Sequence, residues 1–488
     1  MSKLFVFGIG GTGSRVIRSL VMLLAAGVKI NADEIIPVII DPDRSNGDLS
    51  RTVQVLRYYQ RIHEQASSDG KGFFGTRITS LSQMDTEGQH PGSGQFLFTI
   101  SDLDDNRFRD LLEFGQLDDA NKALTGLLFS KQNLDAQMDV GFKGNPNIGS
   151  IVLNRFYNSK EFRIFASNFR QDDKIFIISS IFGGTGAAGF PLLVKNIRNA
   201  GADIENHQLL RQSPIGAITV MPYFGVVKQQ ESQIDKSSFF SKTRAALEYY
   251  FRNISGNNSV NSIYYIGDRI MKDYPNHEGA SEQKNDAHFV EFAASLAIED
   301  FAMSSNGKGE IIAKEYGLDK KGAELSFSHI SSSGRLKTEG PLSAFYLFYL
   351  FQKHQIRSSV KQQPWARSGK TRIDKAFLKS GFYSSELMPF MDHFYEWLDE
   401  LAKNRISFKP FHLKDEISAD MLFDIFLVDK APEKNKDPLH KNFWKVESAL
   451  NKASRKVKTN NREKRFISVF NLATQEIMEK YFKFQGNG

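Results

Sequence analysis

The feature that most constrains the fold of this chain is a unit that occurs twice: a short apolar run, a glycine-rich loop and a helix. The first copy joins KLFVFG at residues 3–8 to GIGGTGSR at 8–15, and the second joins DKIFIISS at 173–180 to IFGGTGAAG at 181–189. Runs of β-branched and aromatic residues indicate strands, and the apolar residues after each loop recur at helical spacing. Each copy therefore predicts a strand, a glycine turn and a helix in succession.

Three further apolar runs extend this pattern along the chain. They are EIIPVIID at 34–41, GAITVMPYF at 216–224 and NSIYYIGD at 261–268, each next to a segment with helical periodicity. Nearly continuous apolar strands that alternate with helices are typical of a parallel sheet covered on both faces. The sequence therefore predicts an α/β fold with a Rossmann-like parallel sheet.

The length of the chain predicts a second domain, because 488 residues exceed the roughly 250–300 at which a single core stops growing. A segment at 287–303 has apolar residues on most of its helical circumference and is expected to lie buried between two bodies. Strands are expected again around ADMLFDIFLVD at 419–429, which gives the second domain an α+β character. The predicted division is a parallel-sheet domain at 1–285 with a helical insertion at about 68–140, a connecting helix at 286–304, and a C-terminal α+β domain at 305–488.

Composition narrows the possible functions. The net charge of +7 is small for this length and does not indicate nucleic acid as a partner. The stretch 434–465 has eleven Lys or Arg residues and three acids, a bias typical of a solvated helix face or tail, with binding of an acidic partner as the alternative. No cysteine is present, which excludes disulfides and thiolate zinc sites and is typical of the cytoplasm. The longest apolar stretches are shorter than the roughly 20 residues of a membrane span, so none is expected.

The two glycine loops predict a site for phosphate. A helix that follows a parallel strand points unpaired backbone N–H groups toward the carboxyl edge of the sheet, where anions bind. Glycine allows a phosphate oxygen to approach the backbone because it has no Cβ, and the threonine in each loop supplies either a hydroxyl donor or a ligand for a cation. The residues predicted to cradle a di- or triphosphate are Gly10, Gly11, Thr12, Gly13, Gly183, Gly184, Thr185 and Gly186.

The first loop alone permits another interpretation. Gly8-x-Gly10-x-x-Gly13 is also the pattern of dinucleotide-binding domains, in which Asp41 at the end of the second strand would hold a ribose. A nicotinamide-dependent oxidoreductase is therefore a remote alternative. It gives no role to the second glycine loop.

A third segment, GFKGNPNIGS at 141–150, combines glycines, an Asn-Pro turn and a helix start. With these segments in order over residues 3–303, the sequence resembles the tubulin/FtsZ superfamily. Gly10 to Gly13 resemble its first phosphate loop, and the strand ending at Asp41 resembles the one before its second loop. Gly144, Asn145 and Pro146 resemble the loop near the γ-phosphate, and Gly183 to Gly186 resemble the signature loop at the α- and β-phosphates.

This resemblance implies a function. It implies binding of GTP or GDP with Mg²⁺, head-to-tail self-assembly into a filament or ring, and a cytoskeletal role in the cytoplasm. It also places Glu231, which follows the strand ending in MPYF, near the ribose. No separate metal site is predicted, and a further protein partner is left open.

The sequence departs from the family pattern at the base. The family reads guanine with an Asn on the first helix, an Asn after a late strand, and an Asn or Asp on the central helix. The corresponding positions here are Arg15, Gly267 and either Ala294 or Ser295. Arg15 is expected to contact a base or a phosphate or, alternatively, to be a solvated arginine in the first helical turn.

The sequence also departs from the family pattern at the catalytic loop. The family completes hydrolysis with an Asn-x-Asp-x-x-Asp loop from the neighbouring subunit, and no such motif follows residue 303. The acids near that position, and therefore the weak catalytic candidates of a possible GTPase, are Glu299, Asp300, Asp319 and Glu324. The missing motif supports an alternative function, a nucleotide-dependent switch that binds a partner without hydrolysis.

Overall fold

The computed structural model describes most of the chain. The described residues are 2–43, 46–67, 70–85, 96–98, 106–138, 142, 145–223, 225–226, 236–267, 273–274, 284–304, 311–316, 324–367, 371–413, 422–426 and 442–484. Gly144, Glu231 and Asp319 lie outside these residues, so the predictions made for them stay predictions.

Strands occupy both the beginning and the middle of the described chain. They are β1 (Lys3–Ile9), β2 (Glu34–Ile40), β3 (Arg77–Ile78), β4 (Leu97–Phe98), β5 (Lys174–Ser180), β6 (Ile215–Val220), β7 (Gly225–Val226), β8 (Ser262–Ile266), β9 (Asp273–Tyr274), β10 (Ile312–Tyr316), β11 (Glu324–Leu325) and β12 (Ser407–Phe408).

Helices connect and cover these strands. They are α1 (Gly10–Ala25), α2 (Gly47–Ala66), α3 (Leu81–Met84), α4 (Phe108–Leu111), α5 (Asp119–Leu128), α6 (Lys131–Leu134), α7 (Pro146–Leu153), α8 (Lys160–Asn168), α9 (Gly184–Arg198), α10 (His207–Gln212), α11 (Lys236–Tyr250), α12 (Phe289–Met303), α13 (Ser332–His354), α14 (Ile356–Gln362), α15 (Met388–Lys403), α16 (Asn442–Lys456) and α17 (Arg462–Ile477). Short 3₁₀ helices lie at Phe114–Gln116, Asn154–Asn158, Phe327–His329, Pro364–Ala366, Phe377–Lys379 and Asp424–Phe426, and π turns at Phe251–Ser255, Phe382–Leu387 and Met478–Phe482.

Eight strands form one parallel sheet. Its order is β10-β8-β6-β5-β1-β2-β3, and β4 also pairs with β2. Each of these pairs is parallel. The five strands expected from the apolar runs are all present, and the prediction of an α/β fold with a Rossmann-like sheet is confirmed.

The order of the strands reverses between β1 and β5. From β1 the chain adds β2 and β3 on one side, then returns to place β5 against the other side of β1 and continues outward through β6 and β8. The pairs of β1 with β5 run from Leu4 opposite Lys174 to Gly8 opposite Ile178. Such a reversal leaves a crevice at the carboxyl ends of the two central strands, which is where ligands bind in sheets of this kind.

The sheet also includes strands that the sequence did not predict. β3 and β4 lie within 68–140, the range expected to be a helical insertion, and extend the sheet beside β2. The helices α4, α5 and α6 occupy the later part of that range. At the other edge β10 pairs with β8, although its residues lie beyond 305, where the C-terminal domain was expected to begin.

The central helix α12 runs from one edge of the sheet to the other. Near its amino end, Glu291 accepts a hydrogen bond from Arg15 of α1, which begins at the carboxyl end of β1. Near its carboxyl end, the carbonyls of Ala302 and Ser304 accept hydrogen bonds from Lys174, the first residue of β5. The two ends of α12 therefore lie at opposite edges of the sheet.

The C-terminal part of the described chain is mainly helical. The buried helix α13 packs its aromatic residues against α15 and α17, with Phe345 against Phe394 at 4.8 Å and Phe348 against Phe470 at 4.7 Å between ring centroids. β11 and β12 form a separate parallel pair. Within the predicted strand at 419–429, Asp424–Phe426 forms a 3₁₀ turn instead.

None of the helices in the described ranges has the length and apolar character that a membrane span requires.

Candidate functional site

The two glycine loops meet at the crevice between β1 and β5. Gly10, the first residue of α1, has a φ of +72°, a conformation that glycine adopts without strain. A Cβ built on Gly10 would lie 3.6 Å from Cβ of Thr185 and 3.9 Å from the amide nitrogen of Gly186. A side chain at Gly10 would therefore contact the first turn of α9, so the first turns of α1 and α9 lie close together.

Both helix starts leave backbone donors without side-chain caps. Neither the N-cap residue of α1, Ile9, nor that of α9, Gly183, supplies a side-chain hydrogen bond, and neither first turn contains an acid. Other helices of this chain are capped, for example α2 by Asn46 and α5 by Asp118. Two uncapped helix N-termini side by side present N–H groups and the positive ends of two helix dipoles to one location. This arrangement suits an anion with several oxygens.

The glycines of the loops serve two different purposes. A Cβ on Gly13 would lie 2.4 Å from the carbonyl carbon of Gly8, and one on Gly186 would lie 2.6 Å from the carbonyl oxygen of Ser180. Those two glycines are required for close packing of helix on strand. At Gly11, by contrast, a Cβ would meet only Nη1 of Arg15 at 3.6 Å, which is an ordinary contact. The packing of the described chain does not require glycine at this position.

The third predicted loop lies beside the second. Asn145 caps α7, since its side-chain oxygen accepts hydrogen bonds from the amides of Asn147 at 3.1 Å and Ile148 at 3.4 Å. Pro146 is the first residue of that helix, a position that proline favours. A Cβ on Gly149 would lie 2.9 Å from the carbonyl oxygen of Gly184. The described part of this loop therefore adjoins the start of α9.

Because Asn145 caps α7, a test of its predicted role at the γ-phosphate has to separate loss of the cap from loss of the side-chain amide. Asn145→Ala removes the cap, which costs about 1 kcal/mol, together with the side-chain amide donor. Asn145→Ser retains a capping oxygen but loses the amide. If the amide contacts a γ-phosphate, both variants weaken binding of a triphosphate more than of a diphosphate, as measured by calorimetric titration. Losses that are equal for both nucleotides, or confined to the alanine variant, would contradict this role.

Arg15 is buried and bound to acidic residues. Only 4% of the residue is exposed, so the expectation of a solvated arginine is wrong. Its Nη1 donates to Asp48 of α2 at 2.8 Å and its Nε to Glu291 of α12 at 2.5 Å. Its Nη2 donates to the hydroxyl of Tyr223 at 2.7 Å, and that hydroxyl donates in turn to Glu291 at 2.7 Å. We call these four residues the Arg15 cluster.

The charges of the Arg15 cluster stabilise one another. Burial opposes ionisation of Asp48, but the guanidiniums of Arg15 and Arg51 outweigh it and lower the pKa of that carboxyl. Burial likewise disfavours the charged form of Arg15, but Tyr223, Glu291 and Asp48 raise its pKa. Burial raises the pKa of Tyr223, so its hydroxyl stays neutral. The cluster is therefore an internal ion network directly behind the first glycine loop.

This network continues into the C-terminal part of the chain. Arg51 donates to Asp48 at 2.9 Å and to Glu400 of α15 at 2.6 Å. Arg18 of α1 donates to the same carboxylate of Glu400 at 2.9 Å. Buried ion pairs thus join α1 and α2, next to the glycine loops, to α15.

The other two positions that correspond to base-reading residues also offer little to a base. Ala294 and Ser295 are buried within α12, and the hydroxyl of Ser295 donates to the carbonyl of Phe292 at 2.6 Å. Gly267 has no side chain, and a Cβ there would lie 2.7 Å from Cβ of Met221. The geometry is suited to phosphate, and guanine-specific contacts at these positions do not fit it.

Three residues of the cluster were not found from the sequence. Asp48, Tyr223 and Glu291 lie on segments that are far apart in the chain. One local signal existed for Glu291, which forms a capping box with His288 at the start of α12. That pattern marks a helix start and does not identify a partner for Arg15.

Asp41 lies just beyond the end of β2 and is buried, with 8% of the residue exposed. Its carboxylate accepts a hydrogen bond from the amide of Asp43 at 3.1 Å. Burial raises the pKa of Asp41 to about 7, and the nearby charges of Asp43 and Asp48 add to the effect of burial, while the Asp43 amide opposes it. The group is thus poised to change charge near neutral pH.

This shift predicts a pH dependence of stability. The folded-state pKa of Asp41 lies above its ordinary value of 3.8, so the unfolded chain ionises more readily and stability falls as pH rises toward 7. The Asp41→Asn variant has no carboxyl to ionise at this position and should therefore be more stable than wild type. The difference between their free energies of unfolding should be about 3 kcal/mol larger at pH 8 than at pH 5. Urea unfolding without divalent cations measures it, with the exposed Asp172→Asn as control. A gain that does not change with pH would contradict the shift.

Three of the acids predicted as weak catalytic candidates are engaged in ion pairs away from the glycine loops. Glu299 pairs with Lys337 at 2.8 Å and Asp300 with Lys314 at 2.5 Å, both near the carboxyl end of α12. Glu324 pairs with Lys409 at 2.5 Å. Glu299 and Asp300 therefore lie toward the edge of the sheet opposite the candidate phosphate site.

No protein-family model matches the chain, and no curated protein matches it. Among solved structures, the chain is similar to CetZ from Methanosaeta thermophila strain DSM 6194, with 11% identity and a TM-score of 0.26. That similarity covers 63% of this chain and 57% of the CetZ chain. The fold assignment therefore rests on the order and direction of the strands.

Proposed function

We propose that this chain binds a nucleoside di- or triphosphate, GTP or GDP with Mg²⁺, at the glycine loops that follow β1 and β5. We further propose that the bound nucleotide controls head-to-tail self-assembly of the chain, as the resemblance to the tubulin/FtsZ superfamily implies. The observation that carries the proposal is the close approach of two uncapped helix starts at the reversal of strand order. Gly10 of one start adjoins Thr185 and Gly186 of the other.

The parts of the nucleotide fit the residues to different degrees. Phosphate oxygens suit the amides of the two helix starts and the open space above Gly11. Only the sequence resemblance supports guanine as the base, because Arg15 is paired with acidic residues and Gly267 has no side chain that could contact a base. The described residues contain no group of three metal-binding side chains. Mg²⁺ would therefore take most of its ligands from phosphates and water, as it often does at nucleotides.

The polarity of α12 supports the assembly part of the proposal. Its amino end lies at the Arg15 cluster behind the glycine loops, and its carboxyl end lies at the opposite edge of the sheet. In a head-to-tail stack, that opposite edge of one subunit would face the nucleotide of the next. A heterologous contact of this kind generates a filament unless it closes into a ring.

A second candidate is a switch that binds nucleotide without hydrolysing it. The observation in its favour is that Glu299, Asp300 and Glu324 are each paired with a lysine. An acid held in an ion pair is poorly placed to orient an attacking water.

The experiment that tests these proposals uses the purified full-length chain. Denaturation and ion-exchange chromatography of the supernatant should release GTP or GDP, and recovery of NAD instead would support the oxidoreductase. Phosphate release from added GTP should then be measured over a range of protein concentrations. Release per chain that rises with concentration supports hydrolysis across a subunit interface, whereas binding without release supports the switch. Absence of any bound or binding nucleotide would contradict both.

A further inference from the structure

A large groove lies next to the glycine loops and shares Asn145 and Pro146 with the proposed γ-phosphate loop. Its volume is about 1110 Å³, and its walls are formed mainly by α7 and α11. The floor is α9, which contacts both walls: a Cβ on Gly149 would lie 3.0 Å from Cβ of Ala188, and the rings of Phe190 and Tyr250 are 5.1 Å apart. The groove exceeds the usual range of about 300–1,000 Å³ for small-molecule pockets.

The charges of the groove lining that the structure describes have one sign. The described lining includes Lys195, Arg198 and Lys242 and contains no Asp or Glu. The guanidinium of Arg198 donates to the backbone carbonyls of Arg211, Ser213 and Ser259, and no ion pair with a carboxylate joins it in the described part of the chain. Burial lowers the pKa of Arg198 to about 10. Arg198 therefore adds positive charge to the wall of the groove, although Ser259, Arg211, Ser213 and Asn261 already accept its hydrogen bonds. The exposed Lys195 is the cation that an anionic occupant would reach.

The uncharged lining suits an extended peptide. The floor is apolar, with Ala187, Ala188, Pro191 and Leu192. Side-chain amides from several elements surround it: Gln132, Asn133, Asn147, Asn199, Asn253 and Asn257. Each amide both donates and accepts hydrogen bonds, which matches the alternating groups of a peptide backbone. Tyr249, half exposed at the rim, adds an aromatic surface of the kind enriched at protein interfaces.

We propose that this groove binds an extended, acidic segment of a partner protein. The basic lining selects acidic side chains, the amides bind the main chain, and the apolar floor accepts alternate aliphatic side chains. This inference goes beyond nucleotide binding and does not depend on it. Asn145 and Ala187 line the groove within the first turns of α7 and α9, so the peptide would contact the same helices as a bound nucleotide.

The test measures peptide binding by fluorescence anisotropy with the full-length chain. The probe is a fluorescein-labelled peptide of about twelve alternating glutamates and leucines, long enough to span about 40 Å when extended. It should bind with a saturable isotherm and at least about tenfold more tightly than the matching lysine–leucine peptide. Lys195→Glu should weaken binding of the acidic peptide about tenfold, and Ala245→Trp, which fills the groove without changing its charge, should weaken it as much.

The matched control is Lys458→Glu, a reversal at an exposed lysine of the basic segment and outside the groove lining. It changes net charge as Lys195→Glu does and should leave the affinity within about twofold of wild type. Equal losses in the two lysine variants, binding unaffected by Ala245→Trp, or no saturable binding would overturn the proposal. Competition by micromolar inorganic phosphate would also overturn it, since that result indicates a site for small anions. Thermal melting of each variant separates loss of binding from loss of fold.

Discussion

Gly11→Val is expected to weaken binding of GTP and GDP at least about a hundredfold, or about 2.7 kcal/mol, while leaving the fold intact. The substitution fits the chain without ligand, because a Cβ at Gly11 meets only Nη1 of Arg15 at 3.6 Å. Valine is also a better helix former than glycine, so α1 should not lose stability. The added methyl groups would occupy the space through which a phosphate oxygen reaches the amides of this turn.

The matched control for Gly11→Val is Gly126→Val in α5. Gly126 also lies in a helix, and a Cβ there would have no neighbour within 4 Å. The Gly126→Val variant should bind nucleotide with the affinity of wild type, as measured by isothermal titration calorimetry. Thermal unfolding should show that both the Gly11→Val and the Gly126→Val variants are folded. If Gly11→Val binds GTP as tightly as Gly126→Val does, no phosphate contacts the first turn of α1.

Arg15→Met is expected to lower the free energy of unfolding by about 3–5 kcal/mol, the usual cost of removing one partner from a buried ion pair. Asp48 and Glu291 would remain buried, and Glu291 would lose its one guanidinium partner within the Arg15 cluster. Glu291→Gln added to Arg15→Met removes that unpaired charge and should recover part of the loss. Urea unfolding of the single and double variants measures both effects.

The decrease in unfolding free energy caused by Arg15→Met should also depend on pH. In wild type, the lowered pKa of Asp48 contributes stability that is present above its ordinary value of 3.8 and is lost in acid. Because Arg15 is one of the two guanidiniums that lower this pKa, the cost of Arg15→Met should be full at neutral pH and should shrink below pH 3.8, where that contribution is lost. The control is Arg252→Met, which breaks an exposed pair with Glu248 and should cost less than about 1 kcal/mol. Equal costs for the two variants would show that the Arg15 cluster does not stabilise the fold.

Local patterns in the sequence were sufficient to predict the main elements of the sheet. β1, β2, β5, β6 and β8 each contain five to seven residues with a distinct apolar character, and their alternation with helices fixes the parallel direction. β3 and β4 contain two residues each, too few to show any periodicity. β10, with the sequence IAKEY, has charged residues at its centre and was not recognised as a strand.

Only part of the candidate site could be predicted from local patterns in the sequence, because some of its residues are far apart in the chain. The glycines were predictable because tight turns and close helix packing impose glycine at a fixed spacing, as at Gly10 and Gly13. The partners of Arg15 were not, because Asp48, Tyr223 and Glu291 meet it only after the chain folds. Hydrogen bonds across 33, 208 and 276 residues leave no pattern in a single sequence.

The Arg15 cluster suggests how nucleotide could affect the rest of the chain. Arg15 lies behind the first glycine loop, and the ion pairs of Asp48, Arg51 and Glu400 continue from it to α15. A shift of α1 on loss of a γ-phosphate would change the partners of these buried charges. Such charges tolerate little displacement, because an unpaired one is costly in a buried environment.

The most direct test of the central claim is a crystal structure of the chain with GDP or a non-hydrolysable GTP analogue. Phosphate oxygens are expected within about 2.7–3.2 Å of backbone amide nitrogens from both the first turn of α1 and the first turn of α9. A nucleotide whose phosphates contact only the α1 turn, with the α9 turn directed elsewhere, would contradict the claim.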